Sequence, residues 1–148
     1  MSSNSLQNKK IVISGGASGI GWATTKICVA KGASVYLCDI DNSALNKIKK
    51  HPQYNKKIFA ANVDASKESA VIKFFKDIKK KFKYLDGLIN NVGIAGPTGS
   101  IEKLNSRDWV RTLYVNVISH FYFTKQTIPL MKKSKYGSII NIHLVQEL

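Results

Sequence analysis

Short apolar runs bounded by turn residues alternate along the chain with stretches in which apolar residues recur every three or four positions. The runs predict strands over 10–14, 34–39, 57–62, 87–90 and 137–142, and the periodic stretches predict helices over 19–31, 43–50, 66–82 and 106–133. The period is clear in 66–82, where Val71, Phe75, Ile78 and Phe82 recur on one side and Lys73, Lys76, Lys80 and Lys83 lie toward the other. Gly32 is a natural stop for the first helix, since the residue after a helix often turns left-handed. The strand runs are short and apolar, as expected where both faces of a parallel sheet are covered. Alternation of strand and helix implies right-handed crossovers, and hence an α/β fold with a doubly wound parallel sheet. The stretch 94–100, carrying Gly96, Pro97 and Gly99, reads as a loop within that unit.

At 148 residues and 44% hydrophobic composition, the chain is long enough to bury one core and is expected to form a single domain. The first ten residues are polar, and no run approaches the roughly 18 apolar residues of a membrane span, so a cytoplasmic location without membrane attachment is expected. Cys28 and Cys38 lack paired spacing and are expected to be reduced core residues. His51 and His120 show no ligand spacing, so no metal site is expected. The net charge of +14 raises the question of a nucleic-acid partner. Only Arg107 and Arg111 are arginines; the other 21 cations are lysines spread from Lys9 to Lys135, many of them on polar helix faces. Solvated faces account for such a pattern, and specific nucleic-acid recognition is not expected, although adhesion at low salt stays open.

Chemistry enters at the first turn, Ser14-Gly15-Gly16-Ala17-Ser18-Gly19-Ile20-Gly21, which leads from an apolar strand into a helix. Gly15 permits a tight exit from the strand. Gly19 lets backbone N–H groups, with Ser18 and Ile20 beside it, approach a pyrophosphate, and Gly21 lets the helix settle on the sheet. A bare glycine turn is the alternative. Asp39 ends the second strand 18 residues after Gly21, the distance for a carboxylate that holds the adenosine ribose. Such a carboxylate repels a 2′-phosphate, and Ala17, Ser18 and Ile40 offer no positive charge, so NAD is favoured over NADP. Asp39 opening a turn, with Asp41 and Asn42 following, is the competing role.

The spacing Gly-x-x-x-Gly-x-Gly, with Ser14 before it, Asp39, Asp64, Asn90-Asn91-Val92-Gly93 and Asn116 in that order, resembles the short-chain dehydrogenase/reductase family. The resemblance implies a Rossmann-type sheet with strand order 3-2-1-4-5, incomplete relative to the family, and hydride transfer between NAD(H) and an alcohol or carbonyl substrate. It implies that Asp64 accepts a hydrogen bond from the adenine amino group while the Ala65 N–H reaches the ring; capping the following helix is the other role open to Asp64. It also implies close passage of Asn91 and Gly93 past the cofactor, where Val92 replaces the family's smaller Ala. Asn116 would locally disturb its helix and hold a water that leads to a catalytic Lys. A buried amide satisfied by backbone is the alternative for Asn116.

Family members continue with a carbonyl-polarising Ser and, about a dozen residues on, Tyr-x-x-x-Lys. This sequence instead reads Asn141-Ile142-His143-Leu144, with no Tyr followed four residues later by Lys. A C-terminally truncated form, inactive alone, is therefore expected. Read one nucleotide earlier, codons for 143–148 admit Ser-Ser-x-x-Gly-Ala or Thr, which points to a frameshift. A noncatalytic nucleotide-binding or subunit-interaction protein is the other functional reading, and a relic the third. Finally, 106–133 carries Trp109, Leu113, Val117, Phe121, Tyr122 and Phe123 around most of its circumference, so self-association through this helix is expected.

Overall fold

The computed structural model describes residues 5–143. Five parallel strands, β1 (Lys10–Ser14), β2 (Ser34–Asp39), β3 (Ile58–Asn62), β4 (Gly87–Asn90) and β5 (Ser138–Asn141), form one sheet in the order β3-β2-β1-β4-β5. Five helices connect or follow them: α1 (Gly19–Ala30), α2 (Asn42–Ile48), α3 (Glu68–Lys81), α4 (Ser106–Leu113) and α5 (Ser119–Met131). The predicted doubly wound sheet is present, with strand bounds within a residue of those read from the sequence.

Alternation along each strand divides the interior into two layers. Val12 and Leu88 meet Val71, Phe75 and Ile78 of α3 and Phe123 of α5. On the opposite face Ile11, Ile13, Leu37 and Ile89 meet Cys28 of α1 and Leu45 and Ile48 of α2. Both cysteines are free and buried. At the edge, β5 is poorly covered, with Ile139 and Ile140 exposed by 38% and 52%.

Local polar contacts set the helix starts. Asp41 Oδ1 accepts from the N–H groups of Ser43 and Ala44, so α2 starts at Asn42. Asp64 Oδ1 accepts from Ser66 N at 3.1 Å and from Ser66 Oγ at 2.6 Å, which holds 64–66 in a turn and delays α3 until Glu68. The expected helix over 106–133 needs one correction: α4 and α5 are separated by a π-helical segment, Tyr114–Ile118, which contains Asn116, the residue expected to disturb this helix locally. A second correction concerns its apolar girdle. Phe123 is fully buried against α3, and Tyr122 is half-buried, so the exposed row is Trp109, Leu113, Val117 and Phe121.

Candidate functional site

All five strands end on one side, and there the loops after β1, β2, β3 and β4 enclose a cleft of about 430 Å³. In an open parallel sheet this is the end where ligands bind, beside the point at which strand order reverses. Ten of the residues singled out in the sequence line it: Gly15, Ser18, Gly19, Ile20, Asp39, Ile40, Asp64, Ala65, Asn91 and Gly93. Gly21 and Asn116 do not line it and act from behind.

The glycine turn has a distinct reason at each position. Gly15 and Gly19 have φ of +62° and +49°, in the left-handed region that disfavours side chains. A Cβ on Gly19 would have nothing within 4 Å, so the space over that turn is open. A Cβ on Gly21 would lie 2.0 Å from the Gly15 carbonyl oxygen and 2.7 Å from Asn91 Nδ2. Gly21 thus lets α1 begin directly against the strand-exit turn. No side chain caps this helix: Ser18 is in the N-cap position and makes no capping hydrogen bond. The first N–H groups of α1 therefore face the cleft as donors, at the positive end of the helix dipole.

Both proposed carboxylates are held by local contacts. Asp39 Oδ2 accepts from Ala17 N at 3.0 Å and Oδ1 from Asp41 N at 3.1 Å, so the turn alternative is present in the same geometry that presents the carboxylate to the cleft. Each oxygen keeps acceptor capacity for a further donor. Asp64 holds the 64–66 turn through Ser66 and pairs with Lys67 at 3.4 Å while also lining the cleft; it does not cap α3, whose N-cap residue is Lys67, so the capping role is a correction. The Ser66 hydroxyl, with smaller help from Lys67, holds the Asp64 carboxyl below its ordinary range.

The floor is fixed by side chains that reach across the sheet. Ser14 Oγ accepts from Asn91 N at 3.1 Å and Val92 N at 3.4 Å, and Asn91 Nδ2 donates to Gly15 O at 2.8 Å. From behind, three side chains grip alternate residues of β4 and its extension. Asn116 exchanges hydrogen bonds with Ile94 through Oδ1 (2.8 Å) and Nδ2 (2.9 Å), His120 Nε2 lies 3.0 Å from Val92 O, and Thr124 Oγ1 accepts from Asn90 Nδ2 at 3.4 Å. Four helical residues advance about 6 Å, and two extended residues advance about 6.6 Å, so steps of four on one element match steps of two on the other. Burial lowers the His120 pKa, the Val92 carbonyl opposes this, and His143, its ring 5.4 Å away, lowers it further.

Sequence reading missed Arg111, Val115 and the role of His120, and it set His143 aside as a lone histidine that nothing orients, whereas His143 lines the cleft. Arg111 and Val115 are four residues apart, and His120 is four after Asn116, so helical spacing carried the signal. Leu144 and the tail beyond it lie outside the described residues. Among the described residues no group of three or more His, Cys, Asp or Glu side chains is placed to hold a metal, and no helix is long and apolar enough to cross a membrane.

Known proteins share this sequence pattern and this fold. A family model described as short chain dehydrogenase matches residues 9–146. A tropinone reductase homologue of Arabidopsis thaliana is 34% identical over 145 residues, which cover 95% of this chain and 54% of the homologue. A CLA biosynthesis dehydrogenase/reductase of Lactiplantibacillus plantarum is 33% identical over 139 residues, or 93% of this chain and 48% of the relative. Among solved structures, a double mutant of a Serratia marcescens short-chain dehydrogenase/reductase superposes with a TM-score of 0.78 at 28% identity, covering 85% of this chain and 52% of that one. Levodione reductase shares the fold with a TM-score of 0.82 at 24% identity, covering 90% of this chain and 53% of that one. The chain spans about half the length of the relatives it matches.

Proposed function

Because the chain belongs to the short-chain dehydrogenase family, we propose that its cleft binds NAD(H) and forms the cofactor-binding half of an oxidoreductase acting on an alcohol or carbonyl substrate. The observation that carries this reading is the convergence of the glycine turn, Asp39, Asp64-Ala65 and Asn91-Gly93 on one cleft beside an uncapped helix start. The donor set fits the group: open space over Gly19 and free N–H groups suit a pyrophosphate, and a fixed carboxylate suits ribose hydroxyls. The N–H groups of the first turn of α1 bind the phosphates, with the Ser18 hydroxyl beside them. Asp39 accepts from the ribose hydroxyls and repels a 2′-phosphate. Ile40 and the Ala65 N–H flank the adenine, Asp64 accepts at its rim, and the backbone of Asn91 and Gly93 forms the opposite wall. Asn116 and His120 position that wall.

Bound NAD(H) would supply the hydride donor or acceptor. The 148 residues contain no Tyr-x-x-x-Lys, so we propose that these residues alone bind the cofactor without turnover, and that hydride transfer requires a polypeptide supplying that acid/base pair. The exposed row Trp109, Leu113, Val117 and Phe121 supports self-association of the chain through α4 and the π-helical segment. NADH and NADPH fluorescence titrations test the central reading: NADH binds more tightly, and Asp39→Ala weakens NADH while narrowing the difference. Equal affinity for both cofactors in the unaltered chain contradicts the role of Asp39, and binding of neither contradicts the function itself.

A further inference from the structure

In a parallel sheet with helical crossovers, strand starts and helix ends gather at the side opposite the cleft, so residues distant in sequence share one face. Backbone hydrogen bonds connect these segments in a row across the sheet: Val35 N to Lys57 O, Ser34 N to Lys9 O, Asp86 N to Lys10 O and Ser138 N to Asp86 O. Segments 5–10, 31–34, 53–58, 79–86 and 132–138 make up this end. They contain twelve of the chain's 21 lysines, no arginine and a single acidic residue, Asp86. Asp86 is paired with Lys9 at 3.1 Å, and Asp77, one turn earlier on α3, with Lys80 at 2.7 Å. Besides those two pairs and Lys31, nine lysines remain on this end.

Complementing helix dipoles does not account for this number. Four helices, α1, α2, α3 and α5, end on this side, and each presents about half a negative charge, so roughly two cations would suffice. Cofactor binding does not account for it either, because the cleft is at the other end. There, segments 15–18, 39–42, 62–68 and 91–111 hold six of the nine acidic residues against four cations, Arg111 of the cleft lining among them. The molecule is strongly polarised, with its positive pole turned away from its anionic ligand.

We propose that this lysine face docks duplex nucleic acid through the phosphate backbone, without reading sequence. Five strands set about 4.8 Å apart give an edge roughly 20 Å long, a length over which a duplex carries about twelve phosphates on its two strands together, at one charge per 1.7 Å. Lysines act as point charges for phosphate, and the absence of arginine from this end removes the fork that reads guanine edges. The loops here expose one large apolar side chain, Tyr136, so an acyl layer would gain little from contact with them.

The test is fluorescence anisotropy of a labelled duplex of about two helical turns, titrated with the full chain between about 50 and 200 mM salt. One variant carries Lys79→Gln, Lys83→Gln and Lys135→Gln, and a control of equal charge carries Lys26→Gln, Lys47→Gln and Lys103→Gln, each first shown by thermal melting to unfold cooperatively. The expected result is binding whose salt slope falls by about three in the first variant, with an affinity loss of about tenfold or more, and changes little in the control. Binding should be indifferent to duplex sequence. Equal losses in both variants, or no binding at about 50 mM salt, overturns the proposal. So does lysine-dependent capture by phosphatidylserine vesicles without capture of the duplex.

Discussion

At the residue scale, Gly21 and Gly19 look alike in sequence and differ in cause. A methyl group on Gly21 meets the Gly15 carbonyl at 2.0 Å, which forces α1 away from the strand-exit turn. Gly21→Ala should destabilise the fold by about 1–3 kcal/mol, the usual cost of overpacking, and weaken NADH binding together with it. Gly19→Ala has open space but a φ of +49°, so its cost should be about 1 kcal/mol, from backbone strain alone. Urea denaturation of the two variants separates these causes. His120 provides a pH signature. Burial lowers its folded pKa, so below about pH 6.5 the unfolded chain takes up protons more readily than the folded one. Stability from keeping this ring neutral is complete above that pH and is lost as the pH falls toward the lowered folded value. His120→Gln should flatten the stability profile below about pH 6.5; an unchanged slope would show that other groups set it.

At the element scale, the helical stretch after the 91–105 loop works as a clamp on β4 and its extension. The chain turns π-helical over Tyr114–Ile118, and within that segment Asn116 makes both of its contacts to Ile94. Asn116→Ala removes these two hydrogen bonds and should cost about 1–3 kcal/mol. The loss should appear locally, as faster amide exchange at Ile94, with the exchange of Ile13 and Leu37 in the central strands little changed. Uniform acceleration across the sheet would mean instead that the clamp belongs to the global core.

At the scale of the whole molecule, the exposed row Trp109, Leu113, Val117 and Phe121 and the half-covered β5 edge leave apolar surface in water. Sedimentation velocity should show concentration-dependent association, and Val117→Glu with Phe121→Glu should return the chain to a monomer. A monomer at tens of micromolar in the unaltered chain would contradict the self-association reading. The high net charge opposes association, so added salt should strengthen it. The same experiment thus weighs charge repulsion against apolar burial.

Strand positions, the glycine turn and the placement of Asp39 were legible in the sequence because each depends on local pattern: short apolar runs, small residues at fixed spacing, and a carboxylate at a strand end. Strand order came with the family resemblance, since apolar runs do not report which strands pair. Spacing along the chain does not report which distant side chains a fold brings together. Tertiary packing alone decided that Asn116, His120 and Thr124 match Ile94, Val92 and Asn90, because that depends on the separation of a helix from a strand end. It likewise turned Phe123 into the core, and it set the extent of the π-helical segment, Tyr114–Ile118, around the Asn116 that the resemblance had marked as a local disturbance. It also gathered lysines scattered from Lys9 to Lys135 onto one end of the sheet, since parallel crossovers return every helix end to the same side.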